Sequence, residues 1–380
     1  MSGTERMEIP VTNLAETTPG PVEPPHTTRR RPTRRVNVGG IAVGGGAPLS
    51  VQTMTKTKTA DVAGTVAQIV GAAEAGCDIV RVTVNDKEAA DAMTEIVRQS
   101  PIPVVADIHF NHVFALKAIA AGVAKVRINP GNIGSKDRIR EVLTAAKDRG
   151  IPIRIGVNSG SLEEDILTKH GYPTAEALFE SAMRHVGICD EFGFRDIVIS
   201  VKSTDVRLMI EAYRLVARRT DIPLHLGVTE AGTTKIGTIK SAVGIGSLLS
   251  EGIGDTIRVS LTDEPVKEVE VGKEILRSLG LATRNVELIA CPTCGRLEVD
   301  LFGIMAELEK RLEGVKKPVK IAVLGCVVNG PGEASEADIG IAAGKGVGIL
   351  YRKGEMVRKV KEAEIVDVIV EEVAKFTPAS

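Results

Sequence analysis

Short apolar segments alternate with Ala-rich amphipathic stretches from residue 50 to about residue 280, and this rhythm constrains the fold more than any other feature. An Ile-Pro pair precedes three of the apolar segments, with its proline at Pro103, Pro152 or Pro223. Proline fixes its own backbone and favours an extended residue before it, so each pair marks the entry to a strand. The predicted strands are 50–54, 79–83, 104–107, 125–128, 153–157, 197–201, 224–228 and 256–260.

Amphipathic stretches between these strands predict the helices 60–75, 86–99, 113–121, 137–148 and 205–220. Eight strand–helix units over about 230 residues is the count of a (β/α)8 TIM-type barrel, an α/β fold. A doubly wound sheet with fewer strands is the alternative that the same alternation permits.

The chain is predicted to have three parts. Residues 1–34 are polar and lack apolar periodicity, which predicts a disordered tail. The arginines between Arg29 and Arg35 are interpreted as part of this solvated tail rather than as a phosphate-binding arm. Residues 35–282 form the barrel and begin with a short hairpin turned at Gly39 and Gly40. Residues 283–380 form a small α/β domain.

Polar side chains recur at every second position of several predicted strands, which places them on one face. Barrel strands are usually apolar on both faces, so polar residues at these positions are exceptional. They cluster at the carboxyl ends of the strands, where barrel enzymes have their active sites. Five such residues are cations: Arg81, Arg127, Arg154, Lys202 and Arg258. Uncharged or acidic polar residues accompany them at Asp107, Asn129, Asn158 and Ser260, and Glu230 follows the seventh strand.

Five converging cations with few acids nearby suit a polyanion, and the planar guanidinium group matches phosphate oxygens. The predicted substrate is therefore a small molecule that carries a diphosphate. A nucleotide is less expected, because neither a Walker-type loop nor a GxGxxG motif follows a strand.

Three cysteines characterise the second domain. Cys291 and Cys294 form a Cys-x-x-Cys pair after the predicted strand 285–290, and Cys326 follows the strand 319–324. Three thiolates are one short of a closed zinc site or a fully Cys-ligated cluster. Cys77 and Cys189 lie late in predicted helices and are expected to pack as small apolar groups.

Several kinds of site remain open on spacing alone. A zinc site needs a fourth Cys or His, and no histidine follows His225. A redox dithiol does not explain Cys326. A [4Fe–4S] cluster on three cysteines would leave one iron open, which suits a reductive reaction. An odd count of five cysteines argues against a disulfide framework and fits a metal site in a reducing cytoplasm.

The motifs around these cysteines resemble those of the bacterial two-domain 4-hydroxy-3-methylbut-2-en-1-yl diphosphate synthase family. They are Cys291-Pro-Thr-Cys294-Gly-Arg296 and Gly325-Cys326-Val-Val-Asn-Gly-Pro-Gly-Glu333. The barrel agrees through Ser50-Val-Gln-Thr-Met-Thr, Ala106-Asp-Ile-His-Phe-Asn, Arg127-Ile-Asn-Pro-Gly-Asn, Gly156-Val-Asn-Ser-Gly-Ser-Leu, Gly227-Val-Thr-Glu-Ala-Gly and Arg258-Val-Ser-Leu-Thr. The resemblance covers the chain from about Arg35 onward.

The resemblance implies two-electron ring opening and dehydration of 2-C-methyl-D-erythritol 2,4-cyclodiphosphate to (E)-4-hydroxy-3-methylbut-2-enyl diphosphate, in the methylerythritol phosphate route to isoprenoids. It implies one [4Fe–4S] cluster per chain, ligated by Cys291, Cys294 and Cys326, with Glu333 on the fourth iron. Glu230 matches a catalytic acid, and the polar barrel residues match substrate-binding groups. Flavodoxin or ferredoxin is the implied electron donor. A homodimer in which one cluster domain faces the other chain's barrel is also implied.

Composition argues against other classes of protein. The net charge of −1 gives no general attraction to nucleic acid, and 3% aromatic residues offer no stacking platform. Apolar runs are too short to span a membrane, so a cytoplasmic protein is expected. Two rival functions remain: a barrel transferase of the pteroate-synthase type, and a zinc-stabilised binding module.

Overall fold

A computed structural model describes residues 29–282, 285–326, 328 and 330–377. It begins with an antiparallel hairpin, as predicted from the Gly39-Gly40 turn, in which β1 (Val36–Val38) pairs with β2 (Ile41–Val43). Gly39 and Gly40 both adopt positive φ angles, of 58° and 94°, which residues with a side chain rarely tolerate.

Eight parallel strands follow and form the predicted barrel. They are β3 (Ser50–Met54), β4 (Ile79–Thr83), β5 (Val104–Asp107), β6 (Lys125–Ile128), β7 (Ile153–Asn158), β8 (Ile197–Lys202), β9 (His225–Leu226) and β10 (Thr256–Ile257). Strands β3 to β8 pair in chain order, and β10 lies between β3 and β9. A bridge between Ile199 and Leu224 joins β8 to the segment before β9, so the sheet is nearly closed. The (β/α)8 prediction is confirmed.

Helices cover the outside of the barrel. They are α1 (Val62–Glu74), α2 (Lys87–Gln99), α3 (His112–Ala120), α4 (Lys136–Asp148), α5 (Glu164–His170), α6 (Ala175–Glu191), α7 (Val206–Arg219), α8 (Thr234–Ser250) and α9 (Pro265–Ser278). Several begin at a residue whose side-chain oxygen accepts a backbone N–H of the first turn, as Asp61, Asp86 and Asp205 do. Aliphatic residues on the outer face of the strands, such as Val80 and Ile155, are fully buried beneath them.

The hairpin closes the amino-terminal end of the barrel. Val36 and Val38 are buried together with Ile79, Val105 and Val198, which point inward from β4, β5 and β8. The hairpin therefore packs on aliphatic side chains of β4, β5 and β8 at this end of the barrel.

Residues 29–34 belong to the segment predicted as a disordered tail, but they are held against the barrel. Arg30 donates to the carbonyl oxygen of Gly254 at 3.1 Å and pairs with buried Asp255 at 3.1 Å. Arg31 donates to the carbonyl oxygen of Ile222 at 2.7 Å. These loops precede β9 and β10, so the arginines lie at the end opposite the active-site mouth. The prediction of disorder is wrong for 29–34, and residues 1–28 lie outside the described part of the chain.

A second sheet forms the C-terminal domain. Its elements are β11 (Val286–Ala290), α10 (Leu301–Leu312), β12 (Val319–Leu324), α11 (Gly330–Ser335), β13 (Ile339–Gly344), β14 (Val347–Arg352), β15 (Glu355–Lys361) and α12 (Ile365–Lys375). The strands lie in chain order, β11 to β13 parallel and β14 and β15 antiparallel. One apolar face packs against α10 and α12, and the other packs against α11.

Strand β15 and helix α11 were not predicted. The exposed strand β15 is dominated by charged residues and lacks an alternating apolar pattern, and α11 is only six residues long. Within the described residues, no helix is both long and apolar enough to cross a lipid bilayer.

Candidate active site

The inward face of the barrel carries the cations predicted from the strand pattern. Arg81, Arg127, Arg154 and Lys202 are all buried, and Arg258 follows β10 with 14% of its side chain exposed. Arg127 pairs in register with Asp107 on one side and Arg154 on the other, so these three residues occupy neighbouring strands at one level. The barrel therefore brings all five predicted cations into one interior.

Two glycines make room for this layer. A Cβ atom at Gly156 would lie 2.5 Å from Nε of Arg127. A Cβ atom at Gly227 would lie 2.8 Å from Nζ of Lys202. Both separations are shorter than a van der Waals contact, so the cations occupy space that side chains on the neighbouring strands would otherwise fill.

Two buried acids partly balance the cations. Asp107 lies 3.6 Å from Arg81 and 3.4 Å from Arg127. Burial alone would raise the pKa of Asp107, but the charges of Arg81, Arg127 and Arg154 outweigh burial and hold the pKa at about 2. Asp107 is therefore ionised and neutralises part of the charge of Arg81 and Arg127. Its carboxylate is already engaged by these two arginines before a substrate binds.

Glu268 of α9 is the second buried acid, and no sequence pattern distinguishes it from glutamates on helix surfaces. It accepts hydrogen bonds from Thr53 at 2.7 Å and from the backbone N–H of Leu261 at 3.0 Å. Its carboxylate also lies 3.4 Å from both Arg258 and Lys56. Arg258 is thus held by an internal ion pair.

Arg154 and Lys202 have no such acid partner among the described residues. Burial lowers the pKa of Arg154 well below its usual value, and repulsion from Arg81 and Arg127 lowers it further. Burial and the charges of Arg154 and Arg258 likewise lower the pKa of Lys202 well below its usual value. The five predicted cations face two buried acids, Asp107 and Glu268, so the interior favours an anionic ligand, whose charge would keep these groups protonated.

Polar atoms without a hydrogen-bond partner lie in the same interior. Among the described residues they include Nε and Nη1 of Arg154, both ring nitrogens of His225 and Nζ of Lys125. Lys125 is fully buried and was missed in the sequence, where a lysine at the start of a strand is typical of a surface position. Buried polar groups are normally hydrogen-bonded, so these atoms mark where a ligand or ordered water would bind.

The uncharged predicted residues lie around the same mouth. The side-chain oxygen of Asn129 accepts a hydrogen bond from the N–H of Gly156 at 3.0 Å, which leaves its amide donors for a ligand. Asn158 ends β7, and Ser260 lies just beyond β10; both are partly exposed.

Glu230 follows β9 and has an exposed side chain with a φ of 51°. This left-handed conformation is uncommon for a residue with a side chain and costs free energy. Such strain is found preferentially at functional sites, because surrounding structure holds the residue where its side chain is needed. The backbone therefore supports a role for the Glu230 carboxyl.

The cysteines lie on loops at the carboxyl ends of β11 and β12, which are adjacent and parallel. Thr293 has a φ of 63°, and Pro292 precedes it, a pattern found in type II turns. A turn over Gly295 and Arg296 follows, in which the N–H of Leu297 donates to the carbonyl oxygen of Cys294 at 3.0 Å. The backbone N–H of Gly325 donates to Sγ of Cys291 at 3.4 Å, a contact that stabilises a thiolate.

A pocket of about 170 Å³ joins these groups. Its lining residues all belong to the C-terminal domain and include Cys291, Cys294, Cys326, Arg296 and Glu333. The predicted ligand set is therefore brought together, on a different domain from the predicted substrate-binding set.

The described side chains around the pocket do not converge on a single point. Within the described residues, no three His, Cys, Asp or Glu side chains converge closely enough for one metal ion. Zinc draws its donors to about 2.0–2.3 Å, whereas a cluster binds its cysteines through separate irons. Cys77 and Cys189 do not contribute, because both are buried and burial raises the pKa of each thiol to about 12. Their prediction as packing residues is confirmed.

Comparison with known proteins identifies the family. The model of the GcpE TIM-barrel domain matches residues 33–273, and that of the GcpE protein C-terminal domain matches 287–375. The chain is 59% identical to the 4-hydroxy-3-methylbut-2-en-1-yl diphosphate synthase (flavodoxin) of Clostridium perfringens, over 90% of this chain and 98% of that relative. It is 56% identical to the protein of the same name from Geobacter sulfurreducens, over 90% and 98%.

Comparison with solved structures gives much lower sequence identity. Dihydropteroate synthase from Xanthomonas albilineans, in complex with 7,8-dihydropteroate, is 16% identical with a TM-score of 0.47, covering 65% of this chain and 97% of that chain. The match is restricted to part of the chain and has no bearing on activity, so it does not favour the transferase alternative. By the two matched domain models and the closely related full-length proteins, the chain belongs to the GcpE family.

Proposed function

We infer that the chain is a 4-hydroxy-3-methylbut-2-en-1-yl diphosphate synthase, an oxidoreductase of isoprenoid biosynthesis. Its substrate is 2-C-methyl-D-erythritol 2,4-cyclodiphosphate. Two electrons open the cyclodiphosphate ring at a carbon–oxygen bond, and a hydroxyl leaves as water. The observation that carries this function is the unbalanced positive charge of the barrel interior, on a chain whose 59% identical relative bears this name.

The barrel cations bind the diphosphate. Arg154 and Lys202 have no acid partner among the described residues, so phosphate oxygens supply the missing counter-charge. Arg81 and Arg127 share Asp107, which keeps them fixed before the ligand arrives. Arg258 is fixed in the same way by Glu268, and Asn129, Asn158 and Ser260 offer hydrogen bonds to the sugar-derived hydroxyls. Preorganised donors of this kind stabilise charge without reorganising during the reaction.

The C-terminal pocket fits a [4Fe–4S] cluster. Cys291, Cys294 and Cys326 provide three thiolates, and Glu333 provides a carboxylate in the same pocket. When bound, the cluster supplies electrons one at a time and an iron that can accept an oxygen ligand. Glu333 is exposed and lies in the first turn of α11, so its carboxylate can leave that position without disturbing the core.

Glu230 donates the proton that the departing hydroxyl needs to leave as water. Its strained backbone directs it to one position at the barrel mouth, and a carboxyl is an effective acid when it lies within hydrogen-bonding distance of the leaving group. Asp107 does not act in this way, because its pKa of about 2 keeps it ionised.

The two halves of the site come from different chains of a homodimer, in which the cluster domain of one chain covers the barrel mouth of the other. The cysteine pocket is lined by C-terminal residues, and the five cations proposed to bind the diphosphate all belong to the barrel. Mixing Cys326→Ser with Arg127→Ala protein tests this arrangement. Statistical exchange restores about a quarter of wild-type activity if sites are shared between chains, and none if each chain forms its own site.

An anaerobic assay tests the function as a whole. Purified protein is expected to be brown, to contain about four irons per chain, and to convert the cyclodiphosphate when supplied with reduced flavodoxin or ferredoxin. A colourless protein with one zinc would support the binding module instead. Activity that requires a pterin and no cluster would support the transferase.

A further inference from the structure

The hairpin formed by β14 and β15 is the most basic surface of the C-terminal domain. Residues 345–361, here named the basic hairpin, contain six cations and one acid, Glu355. The cations are Lys345, Arg352, Lys353, Arg358, Lys359 and Lys361, all exposed. The proposed reaction does not use any of them.

Most of this charge is unbalanced. Arg352 pairs with Glu372 at 2.6 Å, and Lys361 has only a distant contact with Glu364 at 3.9 Å. Lys345, Arg358 and Lys359 form no ion pair with any described residue. The hairpin therefore presents free positive charge to an approaching partner.

Strand register places part of this charge beside the cysteine pocket. One row of paired residues crosses four strands, from Lys359 on β15 through Ile349 and Ala342 to Leu324 on β12. Leu324 lies two residues before Cys326. Lys361 lies opposite Val347, two rows further toward the ends of β11 and β12 that carry the cysteines. Three strand spacings of about 4.8 Å separate β15 from β12, so these lysines lie roughly 15 Å from the loop of Cys326.

Both lysines project from the same face of the sheet as α11. Ala342 and Leu324, in the row of Lys359, are buried against Ala334 of this helix. Met356 lies on that face too, opposite Tyr351, and is 69% exposed. The surface therefore combines cations with an exposed methionine next to the helix that carries Glu333, a mixture typical of protein interfaces.

We propose that the basic hairpin is the docking surface for the electron donor, an acidic one-electron carrier protein. The proposal rests on the proposed function, since it requires a redox centre in the cysteine pocket. Complementary charge would speed the encounter and orient the donor toward the pocket. The donor would contact the C-terminal domain alone, so its docking does not compete with the barrel residues that bind substrate.

The test compares two electron sources on the complete, cluster-loaded enzyme. The variant is Lys359→Glu with Lys361→Glu. Stopped-flow measurement with reduced flavodoxin at low ionic strength is expected to show a fall of at least about tenfold in the second-order rate of reduction. Turnover driven by reduced methyl viologen, a small cation that needs no such surface, is expected to stay within about twofold of wild type.

A matched control reverses Lys310 and Lys316 to Glu. These two exposed lysines belong to the carboxyl end of α10 and the loop after it. This loop leads to the start of β12, at the end of the strands opposite the cysteines. The control makes the same change in net charge and should leave the flavodoxin rate unchanged. An equal loss in the control would show that only net charge matters and would overturn the docking site.

Two other outcomes separate the proposals. If the hairpin variant is reduced by flavodoxin at the wild-type rate, the docking proposal is wrong. The lysines would then serve only to prevent the edge strand β15 from pairing with another chain, whether or not the variant aggregates more readily. Wild-type protein that turns over with neither electron source would refute the proposed function, and the docking proposal with it.

Discussion

Replacing Arg154 with methionine should make the protein more stable and less able to bind substrate. The guanidinium is 1% exposed, has two nitrogens without a hydrogen-bond partner, and lies beside Arg81 and Arg127. An uncompensated buried charge costs several kcal/mol, and a flexible side chain of similar length fills the space. Allowing for partial relaxation, we expect a gain of about 2 kcal/mol, or roughly 4–8 °C in Tm for a domain of this size.

The same substitution should weaken diphosphate binding. A charge-assisted hydrogen bond contributes about 1.5–3 kcal/mol, which corresponds to a rise of roughly 10- to 150-fold in Kd or KM. Anaerobic differential scanning calorimetry measures the first effect, and calorimetric titration with the cyclodiphosphate measures the second. Iron content should stay at the wild-type level, because Arg154 lies in the barrel.

Arg127→Met is the matched control, since Arg127 lies beside Arg154 in the register. Arg127 donates to the carbonyl oxygen of Gly156 at 2.7 Å and pairs with Asp107. Its removal leaves buried acceptors without a donor, so it should destabilise the protein by about 1–3 kcal/mol while also weakening binding. The reasoning fails if Arg154→Met lowers Tm as Arg127→Met does, since Arg154 would then be a structural group.

Four further variants each change a single group. The pKa of Asp107 is lowered to about 2 in the folded protein, so its contribution to stability is present above about pH 4 and is lost as the pH falls toward 2. Measurements of Tm between about pH 5 and pH 2 should therefore show a smaller decrease for Asp107→Asn than for the wild type. Glu230→Gln should lower kcat by about 10²–10⁴ with little change in KM, and an unchanged kcat in steady-state assays would exclude its role as the acid. Cys326→Ser should lose iron, visible absorbance and activity together, whereas Glu333→Ala should keep visible absorbance and lose turnover; full turnover in Glu333→Ala would contradict its role as an exchangeable ligand.

The barrel was predictable because its signals are local. Proline before a strand and alternating polar positions both act within a few residues, and Arg81, Arg127 and Arg154 are found on the inward face that the alternation indicated. Strands β3 to β6 begin and end at the predicted residues. Helix α8 was harder to recognise, because it is glycine-rich and keeps Ile236 and Val243 exposed on its outer face.

The rest depends on contacts between distant parts of the chain. Glu268 accepts a hydrogen bond from Thr53, 215 residues earlier, and no local pattern distinguishes it from neighbouring helical glutamates. Lys125 is buried only because the closed barrel surrounds it. The arginines at Arg30 and Arg31 were expected in a solvated tail, and their partners lie in loops around 190 and 225 residues away. Burial of a charged residue is a property of the assembled fold.

The hairpin of β1 and β2 closes one end of the barrel and leaves the carboxyl end open. Val36 and Val38 cover its amino-terminal end with aliphatic side chains, so in the described part of the chain the carboxyl end is the side from which water and ions approach the cations. Anything that covers that single opening dehydrates all the charged groups inside at one time. In a dehydrated interior each attraction between a cation and a phosphate oxygen strengthens severalfold. A domain that covers the barrel mouth therefore excludes water from the bound substrate and strengthens its binding in the same step.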